Sequence, residues 1–293
     1  MIAFIGEILV DMFGERKEDE TVYRACSGGA SLNAGVNAKK AGAEVAFVGC
    51  VGNDTMGRFL LEEAKKARFQ YTDIQIDRNR NTTLAFVTLT DGERSFSFNR
   101  KDTADFNIDF DKIDFEKYQD LNTVYLGSIM LSEAAGRAFA DRVIAKVKEK
   151  KIRLAFDVNF RVDLYSDLQK AVKAYKPLVE SADIVKFSEE EIRLYTGIDD
   201  PVEAIKSVCQ KDRLYVLTLG SEGSMYCING RVGTVGTERV TPIDTTGAGD
   251  AFFGTLLACL EGKDFLPDTV ESALMLANKA GAEATQFIGA IKF

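Results

Sequence analysis

Asp244-Thr245-Thr246-Gly247-Ala248-Gly249-Asp250 leads directly into Ala251-Phe252-Phe253-Gly254-Thr255-Leu256-Leu257-Ala258. Its second half is apolar on almost every side, which predicts a helix buried against a sheet. Its first half consists of small and hydroxyl-bearing residues, which let backbone N–H groups approach a ligand closely. The first N–H groups of a helix lack partners within the helix, and the helix dipole favours negative charge there. The stretch therefore predicts an anion site at the start of a buried helix.

Asp250 adds a carboxylate to the first turn of that helix, beside the predicted anion site. A carboxylate in this place suggests a base that acts on a nucleophile attacking a phosphate. The alternative is helix capping by Thr245, Thr246 or Asp250 itself, because these residue types are common N-caps. Two glycines that flank Ala248 and lead into a buried helix favour the chemical interpretation.

The chain has 293 residues, enough for one large α/β domain or for a domain with a substantial insertion. Its formal net charge of -8 predicts that neither nucleic acid nor an anionic membrane is a partner. No apolar run approaches the ~20 residues that span a bilayer, and no signal peptide is recognisable. The 5 cysteines, without a CxxC pair, predict reduced thiols, so we expect a cytoplasmic protein.

Histidine is absent from the sequence. A general base must therefore be an Asp, Glu, Lys, Tyr or Cys side chain. The absence excludes Ser-His-Asp and Cys-His nucleophile systems, His-based zinc sites and the HRD loop of protein kinases. The sequence also lacks a GxxxxGK[ST] motif, so a P-loop nucleotide site is not expected.

Several polar residues follow the first predicted strand. Residues 2–8 form a short apolar run that predicts a buried parallel strand, and Asp11 comes just past its end. Ligands of open α/β sheets gather beyond the carboxyl ends of strands, so Asp11 either holds a polar substrate or caps a turn. Gly28 and Gly29 then permit a tight turn against a ligand, and Asn33 offers a donor and an acceptor in the next helix.

Residues 82–100 break the α/β pattern. Residues 83–90 and 94–100 alternate apolar and polar side chains on either side of Asp91-Gly92, which predicts a β-hairpin with its turn there. Together with residues 21–24, this hairpin predicts a small sheet outside the main core. Such a sheet is a candidate lid, which matters where water would compete as the phosphate acceptor.

The remaining chain alternates predicted strands and helices, which indicates a parallel sheet covered on both faces. The predicted strands are residues 44–51, 123–127, 153–157, 183–187 and 214–219, with a hairpin at 224–228 and 232–235. Two predicted helices end near residues 41 and 69. Five others span residues 133–150, 168–181, 189–196, 202–211 and 268–285, and a further helix starts at Asp250.

Two further polar clusters follow predicted strands. Asp157, Asn159 and Arg161 supply an acid, an amide and a guanidinium at alternate positions, so an extended backbone would point all three the same way. A guanidinium in that place is able to neutralise a phosphate. Ser188 and Glu191 have the spacing of a capping box, which is the structural interpretation of that pair.

Taken together, these residues resemble the ribokinase (PfkB) family of carbohydrate kinases. The DTTGAGD run ending at Asp250 is the most specific part of the resemblance, and GGxxxN at 28–33 and GxDxxG at 52–57 agree with it. The resemblance extends over residues 6–289. Within the family, the stretches that look most like fructokinases are residues 93–105, 127–131, 157–161 and 186–191.

The resemblance implies a ribokinase-like three-layer α/β/α core with a mostly parallel sheet, plus a small β-sheet lid. It implies one kinase domain over residues 1–293, with lid insertions near residues 12–25 and 82–100. It also implies ATP, Mg²⁺ and K⁺ as cofactors and a sugar as the small-molecule partner.

The resemblance further implies roles for individual residues. Asp250 would be the catalytic base, beside an anion hole formed by the amides of Gly247, Ala248 and Gly249. Asn159 and Arg161 would face the phosphates, and Asn159 counts with the substrate-binding residues. The sugar would be held by Asp11, Gly28, Gly29, Asn33 and, from the lid, Arg100. The nucleotide would be framed by Lys186, Ser188, Thr218, Gly220, Gly223 and Asn278. Glu191 would act on magnesium through water, and a monovalent-cation loop would comprise Asp244, Thr246, Gly281 and Thr285.

Three positions depart from the family pattern. Ser188 stands where many relatives have Asn, which weakens a direct role for this position in the magnesium network. Val158 is less usual, and so is Lys279, which would alter contacts to adenine next to Asn278.

We therefore predict an ATP-dependent kinase that transfers the γ-phosphate to a sugar hydroxyl and converts D-fructose to D-fructose 6-phosphate. The closest alternative is a 2-keto-3-deoxygluconate kinase, whose substrate carboxylate would need a cationic partner such as Arg100. A nucleoside kinase of the same fold would need a more aromatic acceptor pocket, and a sugar sensor would need no base at Asp250. The outer face of the lid is predicted to pair two copies as a homodimer.

Overall fold

A computed structural model of the chain describes residues 1–17, 19–90 and 93–293. The predicted turn at Asp91-Gly92 lies outside the described residues. Within these ranges, no helix combines the length and the apolar character that a membrane span requires.

Strands and helices alternate along most of the chain. The strands are β1 (Ile2–Ile5), β2 (Leu9–Lys17), β3 (Glu20–Gly28), β4 (Val45–Gly52), β5 (Tyr71–Asp77), β6 (Leu84–Thr90), β7 (Glu93–Asn99), β8 (Thr123–Leu126), β9 (Arg153–Asp157), β10 (Ile184–Ser188), β11 (Leu214–Thr218), β12 (Ser224–Ile228) and β13 (Arg231–Val235). The helices are α1 (Ala30–Lys40), α2 (Thr55–Lys66), α3 (Ala134–Lys150), α4 (Leu168–Ser181), α5 (Glu189–Thr196), α6 (Pro201–Val208), α7 (Ala248–Leu260) and α8 (Pro267–Ala284).

The large sheet has nine strands in the order β13-β12-β11-β10-β9-β8-β1-β4-β5. All pair in parallel except β12, which runs antiparallel to β11 and β13. Central strands such as β1 and β4 are buried along their whole length. Such continuous apolar strands are typical of parallel sheets covered on both faces.

Helices cover the two faces of the large sheet and make it the middle of three layers. Phe4 and Tyr125 face one apolar cluster, to which α1, α2, α7 and α8 contribute. Ile5 and Leu126 face a second cluster, to which α3, α4, α5 and α6 contribute. Successive strand residues thus point to opposite layers, as the period of a strand requires.

A separate small sheet has the strand order β3-β2-β6-β7. The outer pairs are antiparallel and the central pair, β2 with β6, is parallel. The predicted hairpin of residues 82–100 therefore exists. The N-terminal part of the sheet is longer than the predicted insertion at residues 12–25, because it begins at Leu9 and ends at Gly28.

The prediction that one core strand spans residues 2–8, with Asp11 just past its end, was wrong. The core strand β1 ends at Ile5, and Asp11 lies inside β2 of the small sheet, opposite Ala85. The chain turns at Gly6, which has φ of 154° and where a Cβ atom would lie 2.2 Å from Ser31 Oγ. This turn separates the two strands, and it requires glycine because a side chain at position 6 would clash with Ser31.

The helix predicted from the opening stretch is α7, and it is buried. The ring centroid of Phe253 lies 5.9 Å from that of Tyr125 in the large sheet. A Cβ atom at Gly254 would lie 2.1 Å from the carbonyl oxygen of Ala34 in α1. Glycine at this position therefore lets α7 approach α1 closely, which brings the starts of the two helices together.

Candidate active site

A cleft of about 430 Å³ lies beyond the carboxyl ends of β1, β9, β10 and β11, under the small sheet. This is the edge at which parallel α/β sheets bind ligands. Thirteen of the predicted site residues line it: Asp11, Gly29, Asn33, Asn159, Arg161, Lys186, Ser188, Glu191, Thr218, Thr246, Gly247, Gly249 and Asp250.

Gly247 shapes the start of α7. It adopts the left-handed conformation with φ of 78°, and a Cβ atom there would lie 2.8 Å from the Ala290 backbone. No side chain caps the helix, so neither Thr245, Thr246 nor Asp250 has the capping role that was the alternative. The amide of Ala248 donates to the carbonyl of Thr245 at 3.3 Å, whereas Gly249 and Asp250, the next residues of α7, line the cleft. Amides at the start of a helix without a side-chain cap suit an anion site.

Asp250 is held from α1. Asn33 donates a hydrogen bond of 2.7 Å from Nδ2 to Asp250 Oδ2, and the close approach of α1 to α7 at Gly254 makes this contact reachable. Burial raises the pKa of Asp250, although the hydrogen bond from Asn33 and the charges of Lys186 and Arg161 oppose the rise. The hydrogen bond thus orients the carboxylate, and Asn33, Lys186 and Arg161 favour its ionised form, which is the form that accepts a proton.

A buried ion pair lies next to the anion site. Lys186 Nζ contacts both carboxylate oxygens of Asp157, at 2.8 and 3.0 Å. Burial disfavours the charged form of Lys186, but the carboxylates of Asp157 and Glu191 outweigh it and raise its pKa. A Cβ atom at Gly249 would lie 3.2 Å from this ammonium group, so glycine keeps the cation close to the α7 amides.

Asn159 and Arg161 reach the cleft by a different backbone path from the predicted one. The prediction assumed an extended chain after β9, but Asn159 has φ of 38°, in the left-handed region. A positive φ at a residue other than glycine is uncommon and is often found at functional sites. Arg161 opposes the rise in the pKa of both Asp11 and Asp250, so its charge acts at the centre of the cleft.

Asp11 enters the cleft from the small sheet and is 8% exposed. Burial, and then the charge of Asp250, raises its pKa to about 7 against the opposing charge of Arg161. Gly28 does not line the cleft, but a Cβ atom there would lie 2.1 Å from Asp11 Oδ2. Its role in the structure is therefore to leave room for the Asp11 carboxylate.

The capping box predicted at Ser188 and Glu191 is confirmed at the start of α5. Ser188 N donates to Glu191 Oε2 at 2.7 Å, and Phe160 N donates to Glu191 Oε1 at 3.0 Å. Both oxygens of Glu191 therefore already accept amides, although each keeps a lone pair for a water molecule.

A second cavity of about 310 Å³ adjoins the cleft and shares Thr218, Thr245 and Gly249 with it. Four of the six residues predicted around the nucleotide line this cavity, which is named the nucleotide cavity after that prediction: Thr218, Gly220, Gly223 and Asn278, together with Ala248, Gly281 and Thr285. The other two, Lys186 and Ser188, line the cleft. Asn278 Nδ2 donates to the carbonyls of Val235 and Gly236 at 3.0 and 3.2 Å, which ties α8 to the end of β13. Lys279 does not line this cavity; it is exposed and pairs with Glu283.

The predicted cation loop is closed by its own hydrogen bonds. The carboxylate of Asp244 accepts the amides of Thr246 and Gly289 at 2.7 and 2.8 Å. The carbonyl of Thr285 accepts the amides of Ile243 and Asp244 at 2.8 and 3.1 Å. The loop therefore joins the start of α7 to the end of the chain, and it lies beside the nucleotide cavity.

Arg100, predicted to hold the sugar, is not among the residues that line the cleft. It is 7% exposed and forms an ion pair with Asp105, with Arg100 Nη2 2.7 Å from Asp105 Oδ2. The guanidinium therefore points into the base of the small sheet, and the structure does not bring it together with Asp11 and Asp250.

Sequence reasoning missed several residues of the two cavities. Glu7 lines the cleft, where Ser31 Oγ donates to its Oε2 at 3.1 Å and burial raises its pKa. Glu7 follows the carboxyl end of β1 almost directly, and that position is a usable signal. Ala85 and Phe98 also line the cleft, and the segment 237–240 lines the nucleotide cavity without a motif that would identify it.

Comparison with known proteins agrees with this geometry. The profile of the pfkB family carbohydrate kinases matches residues 1–293. A protein named probable fructokinase-7 from Arabidopsis thaliana is 33% identical over 303 residues, which covers 99% of this chain and 88% of the relative.

Two solved structures are similar over nearly the whole chain. An uncharacterized sugar kinase from Pyrococcus horikoshii in complex with ATP is 32% identical with a TM-score of 0.86, covering 99% of this chain and 94% of that one. A double-mutant fructokinase from Vibrio cholerae O395, with fructose, ADP and potassium ion bound, is 31% identical with a TM-score of 0.87, covering 99% and 93%.

The chain therefore belongs to the pfkB family of carbohydrate kinases, and its fold is the ribokinase-like fold. It is a phosphotransferase that acts on a sugar hydroxyl.

Proposed function

We propose that this kinase transfers the γ-phosphate of ATP to D-fructose and forms D-fructose 6-phosphate. The observation that carries the proposal is the charge of the cleft. Among its described lining residues are the carboxyls of Glu7, Asp11, Asp157, Glu191 and Asp250, against the basic side chains of Arg161 and Lys186. The names of the relatives, which are largely fructokinases, support the choice of sugar.

The charge balance favours a neutral acceptor over a keto-acid. Lys186 is committed to Asp157, and the charge of Arg161 acts on Asp11 and Asp250. Arg100 is committed to Asp105 outside the cleft. The carboxylate of 2-keto-3-deoxygluconate would thus approach Glu7, Asp11 and Asp250 and would compete with the phosphates for Arg161, which makes its binding unfavourable.

The acceptor end of the cleft also favours a sugar over a nucleoside. Phe98 is the one aromatic side chain among the described lining residues, and the other apolar side chains there are those of Leu9, Ala30, Ala85 and Ile129. A nucleoside base is usually bound by aromatic stacking and apolar surface. Carboxylates and the Asn33 amide suit hydroxyl groups, because they supply acceptors and donors.

In the proposed mechanism, Asp250 accepts the proton of the sugar hydroxyl as that oxygen attacks the γ-phosphorus. The new P–O bond forms as the bond to the ADP oxygen breaks, and the electron pair leaves with ADP. The amides at residues 247–249 and the guanidinium of Arg161 stabilise the charge on the transferring group, which needs positioning more than covalent help.

Two cations are part of the proposal. Mg²⁺ bound to the ATP phosphates would neutralise charge there, and Glu191 would reach it through water because both its oxygens already accept amides. K⁺ would bind beside the loop of Asp244 and Thr285, as suggested by the potassium in the Vibrio cholerae O395 structure. The hydrogen bonds of Asp244 already order this loop, so K⁺ would act by adding to that order. A cytoplasmic location stays a prediction from the sequence.

A coupled assay of ADP release tests the proposal with D-fructose, D-ribose, 2-keto-3-deoxygluconate and adenosine as acceptors. We expect D-fructose to give the highest kcat/KM, and we expect kcat to be higher in potassium buffer than in tetramethylammonium buffer. A keto-acid as the best acceptor would contradict the neutral-sugar assignment. Equal kcat in the two buffers would show that the loop needs no added cation.

A further inference from the structure

Asp105 is the centre of a buried polar network at the base of the small sheet. It is 1% exposed. Arg100 Nε donates to Asp105 Oδ2 at 2.8 Å, and the hydroxyls of Thr83 and Thr103 donate to Oδ1 at 2.5 and 2.8 Å. Both carboxylate oxygens therefore accept hydrogen bonds from protein donors. Without these donors, the buried carboxylate would destabilise the fold.

The network joins the two strand ends through which the hairpin β6–β7 leaves the core. Thr83 directly precedes Leu84, the first residue of β6, and Arg100 directly follows Asn99, the last residue of β7. Hydrogen bonds from both ends meet at one carboxylate. The distance between the two strand ends and their position on the core are thus fixed by side chains as well as by the backbone ladder.

Arg100 also ties this junction to a loop beside the cleft. Its Nη1 donates to Ser132 Oγ at 2.6 Å, and its guanidinium carbon lies 4.9 Å from the centre of the Phe106 ring. Ser132 ends the short helical segment Ile129–Ser132, whose first residue lines the cleft. One guanidinium therefore connects the small sheet with the loop after β8.

The residues adjacent to this junction face the acceptor. Ala85 and Phe98 are directly opposite each other across β6 and β7, and both line the cleft. Each lies two residues from Thr83 or Arg100. A change in the angle at which the hairpin leaves the core would therefore move Ala85 and Phe98 relative to Asp11 and Asp250.

We propose that Arg100 and Asp105 are positioning residues for the sugar: their ion pair fixes the base of the hairpin and so sets the place of Ala85 and Phe98 over the acceptor. This role rests on the proposed sugar-kinase function and goes beyond it, because it assigns Arg100 to the small sheet instead of to the substrate. Small errors in the placement of substrate-contacting groups cost large factors in rate and binding.

A paired replacement tests the proposal, because removing one partner alone leaves a buried charge and destabilises the fold. The test variant combines Arg100→Met with Asp105→Leu. We expect it to fold, because proteins generally tolerate the replacement of a buried ion pair by apolar side chains of similar volume. The matched control is Arg142→Met with Asp111→Leu, which removes an exposed ion pair of the same residue types, with side chains 49% and 73% exposed. Ser132→Ala is a milder variant that removes one hydrogen bond of Arg100.

We expect the test variant to fold and to raise KM for the sugar by about tenfold, with KM for ATP changed by less than about twofold. We expect Ser132→Ala to raise KM for the sugar less, and the control to leave both constants unchanged. The rise in KM should be equal for D-fructose and its deoxy analogues, because a positioning residue touches none of their hydroxyls. A rise in KM that is confined to one of these sugars would show direct contact by Arg100 and would overturn the proposal.

Hydrogen exchange without any substrate provides an independent readout. We expect faster exchange at residues 84–87 and 97–99 in the test variant and in Ser132→Ala, but not in the control. Wild-type exchange together with wild-type KM in a folded variant would overturn the proposal. If an acceptor other than D-fructose gave the highest kcat/KM with the wild type, the proposed function would be wrong. The hydrogen-exchange result would still decide whether the ion pair fixes the base of the hairpin.

Discussion

In the proposed mechanism, Asp250 is the side chain on which the chemistry depends most. With no histidine in the chain, the base must be another side chain, and Asp250 is a cleft-lining carboxylate in the first turn of α7. Asn33 orients it, and Lys186 and Arg161 lower a pKa that burial raises. These contacts hold the carboxylate in place and favour its ionised form, which is the form able to accept a proton.

Asp250→Asn should lower kcat by about 10²- to 10⁴-fold, because the variant keeps the size of the side chain but removes the proton acceptor. The assay is ADP release, with sugar and nucleotide affinity measured by calorimetry and expected to change little. Asp200→Asn is the matched control, since Asp200 does cap a helix by accepting Glu203 N at 2.8 Å and Asn is also a good cap. Near-normal turnover by a folded Asp250→Asn protein would overturn the mechanism.

Asp11 gives a prediction about pH. Its pKa is 3.8 in its reference state and is raised to about 7 in the fold, so between these values the native protein holds a proton that the unfolded chain has lost. Its contribution to stability is therefore present at low pH and is lost as the pH rises through about 7. Asp11→Asn is neutral at every pH, so the melting temperature of the variant should rise relative to that of the wild type as the pH increases from about 4 to about 7.

Thermal melting without ligand measures this difference. The control is Asp264→Asn, because Asp264 is an exposed aspartate. The same Asp11→Asn variant should bind sugar more weakly, because it loses a carboxylate that accepts hydroxyl groups. Melting curves of wild type and Asp11→Asn that shift in parallel with pH would contradict the assigned cause.

At the level of single residues, the sequence was a better guide to which side chains come together than to the backbone conformation that brings them together. Asp157, Asn159 and Arg161 all line the cleft, but the left-handed Asn159 replaces the extended chain on which that prediction relied. Arg100 lies close in sequence to Phe98 of the small sheet, which does line the cleft. Its orientation depends on Asp105, a tertiary partner that no spacing rule identifies.

At the level of elements, regular βα segments were predictable because their apolar patterns are long and their ends carry clear signals. The bounds of β9, α4 and α5 agree with the predictions for residues 153–157, 168–181 and 189–196. Strand β5 was missed, since this edge strand is only half buried and its polar residues obscure the pattern. Edge strands have one partner, so their sequences are less constrained than those of central strands.

The contact between α1 and α7 shows what a sequence motif cannot predict. The motifs identify Asp250 and Asn33 separately, 217 residues apart along the chain. Their contact depends on Gly254, where any side chain would meet the Ala34 carbonyl of α1. The need for glycine there comes from helix packing, which becomes visible only when both helices are placed.

At the level of the whole molecule, part of the small sheet is exposed. The strand order leaves β3 and β7 as its edges, and residues 20–24 of β3 are exposed. Tyr23 is 43% exposed, and its ring packs edge-on against Phe86 with centroids 5.5 Å apart. Ala85 lines the cleft, so the adjacent Phe86 and its partner Tyr23 lie on the outer face of the small sheet.

Exposed sheet edges and apolar rings are usually covered by a partner, so we predict that two copies pair through this outer face as a homodimer. Tyr23→Asp places a charge in the predicted interface and should shift the protein from dimer to monomer. Analytical ultracentrifugation at micromolar concentration measures the change. Leu266→Asp is the control, because Leu266 is an exposed apolar residue, at 62%, at the start of α8 and not in the small sheet.

The dimer prediction also has a functional side, because the small sheet carries Asp11 into the cleft. Pairing of outer faces would restrain the sheet from the side opposite the acceptor, so the monomeric Tyr23→Asp variant should have a higher KM for sugar and an unchanged KM for ATP. A wild-type protein that sediments as a monomer, or a Tyr23→Asp variant that remains dimeric, would contradict an interface at this face. In that case Tyr23 and Phe86 would form an outer surface that faces water.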